Sequence, residues 1–353
     1  MTTKEHPAPT ERLRANLQRT TIPGLDGIRG IASLSVVVFH GWSQRAPGRF
    51  AVEIFFVISG LLITWLMLRE QQHDKYVDRH AFYMRRALRL FPALMGLLVW
   101  QWVTGIPTAS HGAMIATALY VANYYSLLGG NLDGLGQCWS LAVEEHFYLV
   151  WPQVFAVIRN HRTLLLLCIV ATTASLIWRF IAGYQHRFYA ELSTETTVNA
   201  ILVGSASALV LYHTPEKLPN IVFWPPLAPL SVLGIIGLAQ LPRMSQLWWG
   251  VPLGIPFALI IVLQSITYEW WILENPIARY LGRISYGIYL WGMVAIELAG
   301  RLAHHIALRG VGLLTMLATA VVLATLSRIL IERPIQSFGR RTILQSKTVL
   351  DPA

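Results

Sequence analysis

Phe50-Ala51-Val52-Glu53-Ile54-Phe55-Phe56-Val57-Ile58-Ser59-Gly60-Leu61-Leu62-Ile63-Thr64-Trp65-Leu66-Met67-Leu68-Arg69 carries one acid, Glu53, before its closing arginine. A helix rises 1.5 Å per residue, so a run of this length reaches about 30 Å, the thickness of a bilayer's hydrocarbon core. Runs of the same kind recur near 25–43, 86–105, 139–158, 163–182, 197–213, 225–240, 247–268, 282–303 and 311–330. One further apolar run, 113–128, is short for a span of about 20 residues. Across the 353 residues, 54% are hydrophobic and 13% charged, and mean hydropathy is +0.49. Soluble domains are usually about 25% charged. The composition excludes a water-soluble enzyme, a disordered chain and a disulfide scaffold. It predicts an all-α polytopic integral membrane helix bundle, with about ten transmembrane helices plus one re-entrant or interfacial segment at 113–128.

Charge orients the bundle. With both termini cytoplasmic and 113–128 not crossing, 20 of the 28 Lys and Arg fall on the cytoplasmic side and 7 outside, with Arg29 inside the first run. That bias matches the positive-inside rule. It also accounts for the net charge of +10 without nucleic acid, because the basic residues sit in loops between apolar runs. Residues 1–22 read as a cytoplasmic basic tail, 23–334 as the transmembrane domain and 335–353 as a second cytoplasmic tail. Any chemistry is then expected within the membrane part. Cys138 and Cys168 lack metal-type spacing, and the histidines lack zinc-ligand spacing, so no metal is expected. Cys138 reads as packing.

Ionisable groups at membrane depth are costly and point to function. Arg29 and His40 are eleven residues apart, about three full turns, so they share one face of a helix. Arg29 falls near the inner surface and His40 in the outer half. Glu53, Glu144 and Glu145 fall at the depth of His40. A histidine near carboxylates is apparatus for general-base catalysis, against which stands a buried ion-pair network that only fixes packing. On the inner side, Arg85, Arg86 and Arg89 start a helix beside Tyr83. Arg86 and Arg89 face one way and suit phosphate, or else anchor anionic lipid. Trp139 and Ser140 begin the run that holds the paired glutamates. Ser140 reads as a sugar ligand or a helix cap. Asp26 is expected to pair with Arg29 or Arg283, and His146, His304 and His305 find no partner in the sequence.

Six segments together resemble the acyltransferase-3 family of membrane-bound O-acyltransferases. They are Leu25-Asp26-Gly27-Ile28-Arg29-Gly30-Ile31-Ala32 running on to His40, Val52–Gly60, Phe82–Pro92, Trp139–Tyr148, Leu281–Trp291 and Ile331-Glu332-Arg333-Pro334. The family's basic residue followed at eleven positions by histidine is matched by Arg29 and His40. The chain departs from the family at three places. Gly292 stands where histidine is frequent, Asn199 where an acid is common, and Glu53 where aspartate is frequent.

The resemblance implies transfer of an acyl group, usually acetyl, from a cytoplasmic acyl-CoA to a hydroxyl of a sugar or other envelope molecule. It needs no metal and places the protein in the bacterial cytoplasmic membrane. In this reading His40, Arg29, Glu144 and Glu145 are catalytic, with His40 as base and a glutamate orienting it or binding the acceptor. Arg85, Arg86, Arg89 and Tyr83 bind the donor, and Glu53, Trp139 and Ser140 bind the acceptor. The expected partners are acyl-CoA, a carbohydrate or other hydroxyl acceptor, and membrane lipid. A secondary transporter or flippase for an envelope glycolipid is the alternative, since intramembrane charges suit it too.

Overall fold

The computed structural model describes residues 8–19, 21–185, 187–214, 220–242, 245–303 and 309–339, and every regular element in them is helical. The helices are α1 (Pro9–Leu17), α2 (Pro23–Gly41), α3 (Gly48–Asp74), α4 (Arg79–Thr104), α5 (His111–Ala118), α6 (Ala122–Leu127), α7 (Cys138–Val157), α8 (His161–Gln185), α9 (Arg187–Leu192), α10 (Thr194–Thr197), α11 (Asn199–His213), α12 (Leu227–Ala239), α13 (Val251–Thr267), α14 (Trp271–Glu274), α15 (Pro276–Arg283), α16 (Ser285–Ala303) and α17 (Arg309–Ser327). Short π-helical turns lead into α13 and out of α17. Each long apolar run of the sequence is a helix. The expected cytoplasmic tail is partly a packed helix: Leu13 and Leu17 of α1 are buried, and the Trp65 indole donates to the Leu17 carbonyl at 2.9 Å. Residues 1–7 and 340–353 of the two tails, and His304 and His305, lie outside the described residues.

Apolar surface left uncovered by protein identifies the bundle's solvent. Among the described residues, five helices are long and apolar enough to cross a membrane. The most apolar stretch of α3 is 72% buried within the protein, whereas that of α8 is only 22% buried. Side chains such as Leu166, Ile169, Val170 and Ile177 therefore face outward, where water would be unfavourable and lipid is not. α2, α7 and α16 have span length, at 19, 20 and 19 residues, but carry the polar side chains described below. The 113–128 run is not one helix. Tyr120 takes a left-handed conformation (φ 55°) and splits it into α5 and α6, of 8 and 6 residues. Neither piece can cross about 30 Å of hydrocarbon.

Small residues set the helix contacts, as expected where lipid is as apolar as leucine and close approach supplies the attraction. Gly60 of α3 lies on the Ile201 carbonyl of α11, and Gly204 of α11 lies on the Val57 carbonyl of α3, leaving no room for a side chain at either. Gly27 and Gly30 of α2 likewise meet the backbones of α14 and α15, and Gly282 meets that of Asp26. α2 is thereby held between α3 on one side and α15–α16 on the other. The helix that carries Arg29 and His40 runs through the middle of the bundle.

Candidate active site: two cavities with a common wall

Two cavities flank α2. The first, about 150 Å³, is lined by Arg29 of α2, Ser59 of α3, Arg86 and Arg89 of α4, Ser140, Glu144 and Tyr148 of α7, and Ser285, Tyr286 and Tyr289 of α16, with apolar side chains of α3 between them. The second, about 520 Å³, is lined by His40 of α2, Gln44, Arg45, Arg49, Trp139, Glu191, Gln240, Gln246 and again Tyr289. Among the described residues, Val52 and Tyr289 alone line both. The Arg29-to-His40 spacing read from the sequence thus becomes a division of labour: one helix face presents its arginine to the first cavity and its histidine to the second.

Charge is arranged tightly in the first cavity. Arg86 donates to Glu145 at 3.0 Å, and its guanidinium lies 3.0 Å above the Tyr148 ring centroid, a cation–π arrangement. Ser59 donates to Glu144 at 2.6 Å. Arg29 and Arg89 lie close enough to act electrostatically on each other, and Arg86 acts on Arg89 as well. Three guanidinium groups therefore converge, and neither Arg29 nor Arg89 makes a hydrogen bond or ion pair among the described residues. Such a cluster suits an anion with several oxygens. Ser285, which lines this cavity, is 1% exposed, and its hydroxyl has no hydrogen-bond partner among the described residues. A buried unpaired hydroxyl is unfavourable until a ligand or water reaches it.

Several site residues sit elsewhere than the sequence suggested. Glu144 and Glu145 do not meet His40; they belong to Arg86 and Ser59, because the α7 face they share turns toward α3 and α4. His40 instead borders the second cavity, its ring edge-on to Phe39 at 5.2 Å. Glu53 lines neither cavity. It is buried in the field of Arg179 and Arg49, which makes it part of an ion network that joins α3 to α8. Arg85 is turned away from its neighbours toward Glu70, at 3.9 Å. Tyr83 donates to the Leu149 carbonyl at 2.9 Å, bracing α4 on α7. Trp139 and Ser140, adjacent in sequence, fall on opposite sides of the wall. Asp26 lies in the field of Arg29, Arg279, Arg283 and Arg89 together.

Sequence reading missed Tyr289, Tyr148 and the glutamines of the second cavity, Gln44, Gln240 and Gln246. Tyr289 lay inside a segment quoted only as a motif, and nothing local distinguishes it from a packing tyrosine. His146, unassigned in the sequence, is hydrogen-bonded to Thr194 at 2.7 Å and stacked on Tyr124. Among the described residues, no group of three or more His, Cys, Asp or Glu side chains is placed to hold a metal ion.

The helices and cavities form one membrane-type helical domain, and the chain belongs to the acyltransferase-3 family, whose "Acyltransferase domain" model matches residues 22–332. Among curated proteins the chain is similar to YrhL of Bacillus subtilis (strain 168), 30% identical over 91% of this chain and 56% of that protein. It is also similar to the peptidoglycan O-acetyltransferase OatA of Listeria monocytogenes, 27% identical over 91% of this chain and 57% of the relative. The O-acetyltransferase OatA of Staphylococcus aureus (strain NCTC 8325 / PS 47) is 28% identical over 80% of this chain and 51% of its own length. The chain spans about half the length of these relatives. No solved structure matches it.

Proposed function

We propose that the chain is an O-acetyltransferase of the bacterial cytoplasmic membrane, moving an acetyl group from a cytoplasmic acyl-CoA to a hydroxyl of an envelope carbohydrate. The relatives named for peptidoglycan O-acetylation make a peptidoglycan sugar the first acceptor to try. About ten helices cross the membrane in this reading, both termini are cytoplasmic, and the first cavity faces inward and the second outward.

The observation that carries the proposal is the pair of cavities, one lined by Arg29, Arg86 and Arg89 and the other by His40, with Val52 and Tyr289 common to both. Coenzyme A is a phosphate-bearing head on a long thin arm. Arg86 and Arg89 would bind the phosphates at the mouth, and about 150 Å³ suits the arm rather than the nucleotide. The acceptor occupies the larger cavity, where Trp139 offers a flat apolar face and Gln44, Gln240 and Gln246 offer amides for sugar hydroxyls. His40 takes the acceptor hydroxyl's proton as its oxygen bonds to the acyl carbon. The carbon–sulfur bond then breaks, and the departing thiolate recovers that proton from the imidazolium. No covalent enzyme intermediate is required.

The test is acyl-CoA-dependent transfer of labelled acetyl to peptidoglycan fragments by the purified protein in detergent. Label on a sugar hydroxyl, with one free thiol released per ester formed, supports the reading. Movement of a glycolipid across a vesicle bilayer without thioester consumption overturns it in favour of a transporter. The orientation is checked with a cysteine at position 131, whose labelling from the cytoplasmic side alone would reverse the topology.

A further inference from the structure

An acyl carbon and its attacking oxygen must approach to about 3–3.5 Å before they react. The two cavities are separate, so something between them has to move. The wall is narrow: among the described residues, Val52 and Tyr289 are the only side chains bordering both. Val52 is β-branched and held to one rotamer within α3. The Tyr289 ring is 7% exposed, with Phe55 edge-on at 6.1 Å, and its hydroxyl is latched. It donates to the Gln137 carbonyl at 2.8 Å and is hydrogen-bonded to the Ser140 hydroxyl at 2.5 Å, which also reaches the Gln137 carbonyl at 3.4 Å. Gln137 is pinned in turn, since its amide donates to the Leu290 carbonyl at 3.0 Å. The latch therefore ties the start of α7 to the second turn of α16, at the residue next to Trp139.

The geometry points to Tyr289 as a gate and positioning residue between the donor and acceptor cavities. With the phenol latched to Gln137 and Ser140, the thioester is shielded from the outer cavity. When the latch releases, the ring moves aside, and the acyl carbon meets the acceptor oxygen where the ring had been. The physical advantage is suppression of a side reaction. Without a wall, water from the outer cavity could attack the thioester: its oxygen bonds to the acyl carbon, the carbon–sulfur bond breaks, and the thiol leaves with one of the water's protons. Both products, free acid and thiol, would form with no sugar modified. This role in turnover rests on the acyl-CoA reading; the gate itself rests only on the shared wall.

Two measurements separate these layers. The first uses the unpartnered Ser285 hydroxyl of the inner cavity. In a Cys138→Ser, Cys168→Ser background, Ser285→Cys protein is placed in outward-oriented vesicles and exposed to a membrane-impermeant thiol reagent from outside. Labelling should be slow with Tyr289 intact, at least about tenfold faster with Tyr289→Ala, and intermediate with Tyr289→Phe, which keeps the ring but loses the latch. Reagent supplied from the inner side gives the control for a reactive thiol. Equal outside labelling with and without the Tyr289 side chain, including none in both, overturns the gate. The second measures free acetate against acetyl ester from acyl-CoA. Tyr289→Ala should raise that ratio at least about tenfold, with Tyr289→Phe between it and the native protein. An unchanged ratio in a protein that still transfers acetyl overturns the role in turnover. If the native protein consumes no acyl-CoA at all, the proposed function fails while the labelling result still decides the gate.

Discussion

The two cavities differ in size and in how their polar groups are held, and the difference indicates what each can receive. The first cavity is small, and its charges are braced: Arg86 is fixed by Glu145 and stacked on Tyr148, and Glu144 is fixed by Ser59. Such preorganised charge suits one invariant anionic ligand, because little reorganisation accompanies binding. The second cavity is more than three times larger and is bordered by glutamines, a tryptophan and an exposed histidine, with Arg45 and the Arg49–Glu191 ion pair beside them. That composition suits a bulkier, hydroxyl-rich ligand. A transferase with a constant donor and an acceptor set by the envelope needs this asymmetry; a transporter moving one solute between two equivalent sites does not.

The strongest way to break the comparison is to remove the histidine of the second cavity, the base of the proposed reaction. His40→Ala should lower turnover about 10²–10⁴-fold and leave acyl-CoA binding intact, measured by single-turnover transfer and equilibrium donor binding. His40→Gln should be as inactive, since it retains hydrogen bonding without carrying the proton. Native activity should fall toward acid pH, because the protonated imidazole has no lone pair for the acceptor's proton. Near-normal turnover of His40→Gln would make His40 a positioning residue.

The inner cavity is probed next. Arg89→Ala should raise KM for acyl-CoA about tenfold or more, since a charge-assisted contact contributes roughly 1.5–3 kcal/mol, with KM for the acceptor nearly unmoved. Unchanged donor dependence with lowered protein abundance would favour lipid anchoring instead. Trp139→Ala should do the reverse more weakly, raising KM for the acceptor by up to about tenfold, because an aromatic contact adds about 0.5–1.5 kcal/mol beyond its buried area. Arg85→Ala should change donor KM by less than about fivefold, as expected for an exposed arginine whose ion pair contributes at most about 1 kcal/mol. Glu145→Gln should leave the pH profile of turnover where it was, since Glu145 faces Arg86. A displaced profile would restore the carboxylate–histidine pairing that the sequence suggested.

The sequence made much of this legible. A one-dimensional signal, hydropathy over about 20 residues, located the long helices because a bilayer imposes length and composition on each span separately. The helical repeat put Arg29 and His40 on one face because both lie in one helix, where spacing alone fixes direction. The i, i+3 spacing likewise sent Arg86 and Arg89 to the same cavity, while the choice between phosphate binding and lipid anchoring lies beyond spacing.

Tertiary structure decided what depth and spacing within one helix cannot specify. Glu144, Glu145 and His40 were matched by depth, yet the rotation of α7 about its own axis decides which neighbour a glutamate meets. That rotation is set by contacts with α3 and α4, far away in sequence. The glycine contacts of α3 with α11 and of α2 with α14 and α15 fix which faces come together. Packing between helices likewise places Arg85 outside the cavity, Trp139 and Ser140 on different cavities, and Tyr289 in the wall. The sequence by itself determined that this is a helical membrane protein with charged residues at depth. Which of those residues share a cavity was decided by packing between helices, because hydropathy measures how deep a residue lies and carries no information about the direction in which it points.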